Sequence, residues 1–340
     1  MSRYQRLQRR RYGICGLLAI AAVAAFILDL STGPSDVSVI DVLRALLSGS
    51  GAREDGFIVW QLRLPQAVLA ALTGAALGLA GLEMQTILRN PLADPFTLGV
   101  SAAAALGAAL AIVLGIGIPG VHEAWIVAGN AFVFATGSLL VLLFLVKTGI
   151  ASAERLILFG IAMGFTFGAL LSLLQFVASP DALQQLVFWS MGSLVRANWT
   201  VISVLGAALA IVAPLSYRSR WRLTVIAFGE EHARSLGINV ARLRLAALVR
   251  ISLLAALSVA FAGIIGFVGL TGPHIARLIV GDDHRFLMPA SALTSMIVMS
   301  AAAAASKAVM PGVIVPIGIV TALIGLPVFF ALLVLRGGAP

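Results

Sequence analysis

Residues 217–250 read YRSRWRLTVIAFGEEHARSLGINVARLRLAALVR, the one long break in an otherwise oily chain. Seven of the chain's 23 lysines and arginines fall in this segment, with long apolar runs on both sides. Its reading sets that of everything around it. The chain has 340 residues, of which 60% are hydrophobic and only 11% charged. A soluble domain carries about 25% charged residues, and a globular interior cannot hide this much apolar side chain without leaving large exposed patches. The solvent is therefore a bilayer. The apolar runs are helix-long, without the short alternating segments of an outer-membrane barrel, so the fold class is an all-α polytopic membrane protein. The 34 glycines mix with alanine inside the apolar runs, where small residues let helices approach closely.

At roughly 20 residues per span, ten transmembrane helices are expected, at about 14–30, 64–84, 97–116, 125–146, 155–176, 199–215, 240–262, 263–280, 287–309 and 317–335. Gly33-Pro34 and Pro311-Gly312 act as stops, Ser179 as the cap of a short helix over ALQQLVFWSMG, and VSVIDVLRALLSG as a short amphipathic piece. A basic start before an apolar run also fits a signal peptide. The run is long enough to span and shows no small-x-small cleavage site before Asp29, so it is read as an uncleaved first helix. With ten spans and the N-terminus inside, 18 of the lysines and arginines lie on the inner side and five on the outer, the latter being Arg44, Arg53, Arg63, Arg196 and Lys307. That asymmetry obeys the positive-inside rule. It makes the charged segment cytosolic and puts both termini in the cytoplasm. The +9 charge reports this topology and gives no reason to expect nucleic acid.

Chemical motifs are sparse. There is no GxxxxGK[ST], no HExxH and no Ser/His/Asp or Cys/His set at informative spacing. The single Cys15 excludes an internal disulfide. Catalysis by the chain itself is not expected. Glu83, Arg250 and Asp29 are the few charges inside apolar runs, read as structural groups near a membrane edge that long side chains can reach. RNPLADP (89–95) reads as helix punctuation, GFVGLTGPH as a glycine-lined turn, and GDDHR (281–285) as a solvated loop rather than a metal site. Within the charged segment, Gly229 and Gly237 bracket EEHARSL. Acids at its start and Arg234 near its end suit a helix dipole. A short helix on the cytosolic face offers a docking knob for a soluble partner, although an ordinary inside loop would carry the same charges.

QLRLPQAVLAALTGAALGLAGLEMQ, RNPLADPFTLGVS, FWSMGSL, FGEEHARSLGI, GFVGLTGPHIARLIVGDDHR, LMPASAL and PIGIVTALIGLPVFF, in this order over residues 61–335, resemble the FecCD-type permeases of type II ABC importers. That family imports iron–siderophore complexes, haem and cobalamin. The resemblance implies one permease domain over residues 1–340, with a coupling segment at about 217–240. It implies a homodimer or a pair with a related permease, two cytosolic ABC ATPase subunits that carry the ATP and magnesium, and a periplasmic or lipid-anchored binding protein. The permease itself would hold no cofactor or metal and would sit in a bacterial inner membrane. Gly229, Glu230, Glu231, Ala233, Arg234, Leu236 and Gly237 match the ATPase-coupling helix. Arg63, Gln66 and Lys307 match positions that dock the binding protein, the latter two usually arginine. Ala153 and Glu154 stand where the cobalamin permease has small polar residues at its inner gate. The cargo expected is a ferric siderophore, with haem or cobalamin as alternatives. An ion-coupled secondary transporter is the reading from a different class.

Overall fold

The computed structural model describes residues 3–33, 38–48, 54–148, 152–310 and 312–336. The expected stops at Pro34 and Pro311, and the outer-side Arg53, lie outside the described residues. The described chain is helical, with one isolated bridge between Met310 and Val313. Its helices are α1 (Arg3–Ser31), α2 (Val39–Ser48), α3 (Glu54–Phe57), α4 (Leu64–Leu88), α5 (Val100–Leu114), α6 (Glu123–Lys147), α7 (Ala153–Val177), α8 (Pro180–Ser190), α9 (Trp199–Arg218), α10 (Arg220–Ala227), α11 (Glu230–Ser235), α12 (Val240–Ala262), α13 (Val268–Val280), α14 (His284–Ala308) and α15 (Ile317–Arg336). A π-helical turn, Ile58–Arg63, leads into α4, and a 3-10 turn, Pro95–Leu98, precedes α5. Seven helices are long and apolar enough to span (α1, α4, α6, α7, α9, α12 and α14), and the shorter apolar α5, α13 and α15 complete the ten.

The bundle is built around α4. Its apolar window is 89% buried, the most enclosed of the seven, with α12, α13 and α14 packed against it. Lipid gives no oil-in-water incentive to bury a helix, so close backbone approach must do it. A Cβ on Gly74 would come within 2.6 Å of the Ser295 carbonyl, and one on Gly81 would overlap the Gly269 carbonyl. The glycines at 74, 78 and 81 thus cut a groove in α4 that seats α14 and α13.

Of the boundaries that differ from expectation, two bear on the sites below. The eighth span begins at Val268, not at residue 263. Gly263 and Phe267 adopt φ of 75° and 68°, which a right-handed helix cannot contain. The backbone of this irregular stretch meets other main chain. Ser193 N donates to Ala262 O (2.8 Å), while Gly192 and Gly318 lie close to the Ile264 carbonyl. The remaining 13 residues of α13 reach about 20 Å, less than the roughly 30 Å hydrocarbon core. The ninth span begins early, at His284, because Asp283 caps it by accepting from Arg285 N at 3.1 Å. The GDDHR stretch is therefore partly helix.

Candidate functional site

One end of the bundle gathers the start of α1, the ends of α4 and α13, all of α10 and α11, and the starts of α12 and α14. It is the basic end. There the charged segment folds into two short helices. Gly229 (φ 139°) and Gly237 (φ 76°) occupy backbone conformations that disfavour a side chain, so both brackets of α11 are required by the chain path. Ala233 is fully buried beneath the helix, while Glu231, His232, Arg234 and Leu236 are exposed.

This knob is tied to the membrane core through Glu230. Its carboxylate pairs with the buried Arg244 of α12 and more loosely with the exposed Arg234 at 3.5 Å. Arg244 Nε in turn donates to Ile87 O at 3.1 Å, one of the carbonyls left open at the end of α4. A push on α11 therefore has a charged, hydrogen-bonded route to the central helix. The seven residues matched to a coupling helix are brought together here. Arg244 was not among them, because the 14 residues from Glu230 to Arg244 follow no helical spacing.

A second tie runs through His284. Its ring is 1% exposed. Nε2 lies 2.9 Å from Thr86 Oγ1 of α4, and Nδ1 lies 3.2 Å from Thr224 Oγ1 of α10 and 3.1 Å from Asp282 O. Asp282 O can only accept, so Nδ1 carries the single proton of the neutral ring and is shared with the Thr224 oxygen, whose own hydroxyl donates to Arg220 O. Nε2 then accepts from the Thr86 hydroxyl, which also lies within reach of Leu82 O. One side chain thus joins α4, α10 and the start of α14. The solvated loop expected for GDDHR is corrected: His284 is buried because its two nitrogens replace water with threonine oxygens. Beside it Arg277 pairs with Asp282 at 3.0 Å and donates to Gln85 at 3.2 Å. Among the described residues no group of three or more His, Cys, Asp or Glu could hold a metal. Asp283, outside the spans, feels burial pushing its carboxyl up, but the hydrogen bonds and charge of Arg285, with Arg11 beyond, outweigh this and hold it below the usual carboxylate range.

RNPLADP does more than punctuate. Asp94 is 3% exposed and accepts from Phe96 N at 2.9 Å, capping the 3-10 turn. Its second oxygen would lie 2.9 Å from a Cβ on Gly269, so the loop packs directly on the first turn of α13.

Deeper in the bundle, Arg250 and Glu83 form a buried pair, with Nη2–Oε2 at 2.8 Å and Nε 3.0 Å from both carboxylate oxygens. Neither snorkels to an edge, contrary to expectation. Arg250 lies ten residues into α12, and its guanidinium is turned into the bundle onto Glu83.

At the opposite end, Lys307 and Asp29 pair at 2.6 Å, with side chains 5% and 0% exposed. Lys307 also donates to Asp29 O at 2.7 Å, and Arg63 Nη1 to Ser31 O at 3.0 Å. Both cations thus cap the C-terminal end of α1, where the helix dipole favours positive charge. Asp29, too, is paired in the interior rather than turned to a membrane edge. Two of the three side chains expected to meet a binding protein are therefore turned inward. The third, Gln66, is half-buried and lines a cavity of about 240 Å³ with Asp29, Lys307 and Ser193. Ala153 and Glu154 open α7 behind the Ser152 cap. Glu154 is exposed, and so are Leu158, Phe165 and Phe176 further along the helix.

Comparison with known proteins gives one consistent result. The profile described as the FecCD transport family matches residues 20–335. The hemin transport system permease protein HmuU of Yersinia pestis is 31% identical over 320 residues, covering 94% of this chain and 96% of that protein. The Fe(3+)-citrate import system permease protein YfmE of Bacillus subtilis is 34% identical over 333 residues, covering 98% of each. A solved structure, an inward-facing conformation of a metal-chelate type ABC transporter, superposes with a TM-score of 0.81 at 31% identity, covering 94% of this chain and 98% of that one.

Proposed function

The chain belongs to the FecCD transport family, and from that membership we propose that it is the membrane-spanning subunit of an ATP-driven importer whose cargo is a ferric siderophore. The observation that carries the reading is the wiring of α11. A surface knob with an exposed polar face is linked through Glu230 and Arg244 to Ile87, at the end of the most enclosed span. Energy delivered to α11 by a soluble ATPase would reach α4 and the helices packed on it, switching access between the two sides of the membrane as rigid elements move. Glu231, Arg234 and Leu236 are the side chains that would meet the ATPase. Ala153 and Glu154 would border the inner gate at the start of α7. The exposed apolar faces of α7 and α15 would meet a second permease subunit and the path between them. The basic end would face the cytoplasm of a bacterial cell. Binding-protein docking at the opposite end would use Gln66 directly, and Arg63 and Lys307 only on release from α1.

The named relatives are permeases for hemin and ferric citrate, while others as similar are named for vitamin B12 and molybdate. A ferric siderophore is our choice over haem and cobalamin. The test is co-reconstitution with the ATPase and binding protein in liposomes, measuring ATP-dependent uptake of iron-labelled siderophore, haem and cobalamin in competition. Gradient-driven uptake by the chain alone, without ATP, would refute the proposal in favour of an ion-coupled carrier.

A further inference from the structure

Between α10 and the start of α12 the basic end holds a cleft of about 540 Å³. Arg222 and Arg242 line it with Ser219, Trp221, Leu243 and Ala246, and no acid faces it. The two arginines are exposed and, among the described residues, enter no ion pair or side-chain hydrogen bond. Of the other arginines at this end, Arg11, Arg234, Arg244, Arg277 and Arg285 have acidic partners and Arg220 stacks on Tyr217. The cleft thus carries two uncompensated guanidiniums, groups whose planar forks match phosphate oxygens.

Its position identifies the source of the phosphate. α9 ends and α12 begins here, where two spans leave the apolar zone. Trp221 is 58% exposed, and tryptophan favours the headgroup level of a bilayer. Below the arginines the same face of α12 continues through Ala246 and Val249, spaced four and three residues on, both exposed. Ile211 and Leu215 of α9 are exposed as well. A cation pair above an open apolar strip fits one molecule with an anionic head and a hydrocarbon tail. A partner's acidic side chain would satisfy the arginines but not the strip.

We propose that this cleft binds the headgroup of an anionic phospholipid of the inner leaflet, with an acyl chain along Ala246 and Val249. The choice of leaflet rests on the cytoplasmic reading of the basic end. Because Leu236 and Gly237 of the α11 connection also line the cleft, an occupied cleft would brace the knob from its membrane side.

The test uses the full chain in detergent with phosphatidylglycerol or phosphatidylcholine, bound lipids being counted by native mass spectrometry. Phosphatidylglycerol should bind preferentially. R222Q and R242Q should each weaken it by roughly five- to tenfold, while R218Q, outside the cleft, should leave it unchanged. Equal binding of the two lipids, or an unchanged preference in R222Q/R242Q, overturns the proposal. So does saturation of the site by inorganic phosphate alone with no lipid preference. Loss of ATPase binding in R222Q/R242Q without any lipid effect would assign the arginines to the protein partner and overturn it too. Labelling of S219C from the outside of oriented vesicles, with Cys15 replaced, would refute the cytoplasmic reading separately, and the lipid count would still report on the cleft.

Discussion

Replacing Arg250 with alanine isolates the energetics of the buried pair. The substitution removes three contacts of 2.8–3.0 Å to Glu83 and leaves a carboxylate that is 1% exposed with its partner gone. Removing one member of a buried pair costs about 3–5 kcal/mol, and at about 1.4 kcal/mol per decade this is two to three and a half powers of ten in the folding equilibrium. R250K keeps the charge but loses the fork and should fall between. The pairwise replacement E83L/R250M removes both charges while keeping most of the volume. It should return to within about 1 kcal/mol of wild type, since well-packed apolar substitutes for buried pairs are neutral or better. The assay is reversible unfolding of the purified chain in mixed micelles, followed by tryptophan fluorescence. A single mutant within about 1 kcal/mol of wild type, or a pairwise mutant as unstable as the single, would show that the pair's isolation from water has been misjudged.

G81A should destabilise by at least about 1–3 kcal/mol, the cost of overpacking, because the new methyl meets the rigid Gly269 carbonyl; the same unfolding assay reads it, and no loss would mean α4 and α13 are further apart. H284A should lower transport per ATP hydrolysed more than it lowers ATPase stimulation, whereas H284A/T224V should add little, the two sharing one tie; proportional loss of both activities would mark His284 as merely structural. K307A should be destabilised like R250A, with K307A/D29A partly restored, and a fully stable K307A would put Asp29 in contact with water. For Asp283 the folded carboxyl sits below its unfolded value, so its contribution is present above the ordinary carboxylate range near pH 3.8 and is lost as pH falls through the lower folded value. D283N at neutral pH should mimic that loss, seen as easier tryptic cleavage near Arg11, its partner at 3.6 Å.

Seven of the apolar segments were legible because length and composition specify a span, the shorter α5, α13 and α15 because glycines and prolines divide the apolar runs that hold them, and α11 because glycines bracket it. What escaped were pairings across long separations. Glu83 and Arg250 lie 167 residues apart, so no spacing rule joins them, and each alone looks like an edge residue. Arg63 and Lys307 read as outward cations, since nothing in their neighbourhoods announces the end of α1. His284 sits in a run of polar residues that resembles a loop, and its burial depends on Thr86 and Thr224 from two other helices. The break before α13 is set by Phe267 in a left-handed conformation, a residue type that gives no warning of it.

The enclosure of α4 sets a timetable for the protein's birth. A span first enters the bilayer alone and associates with others afterwards. The helices that cover α4 include α12, α13 and α14, and α14 starts roughly 200 residues after α4 ends. At about 5–20 residues per second of synthesis, α4 waits on the order of 10–40 s with its glycine groove facing lipid. During that interval the groove is an adhesive surface for any passing helix. A chaperoning factor at the insertion site, or a change in translation rate between α4 and α14, would therefore be expected to change yield without touching the finished bundle.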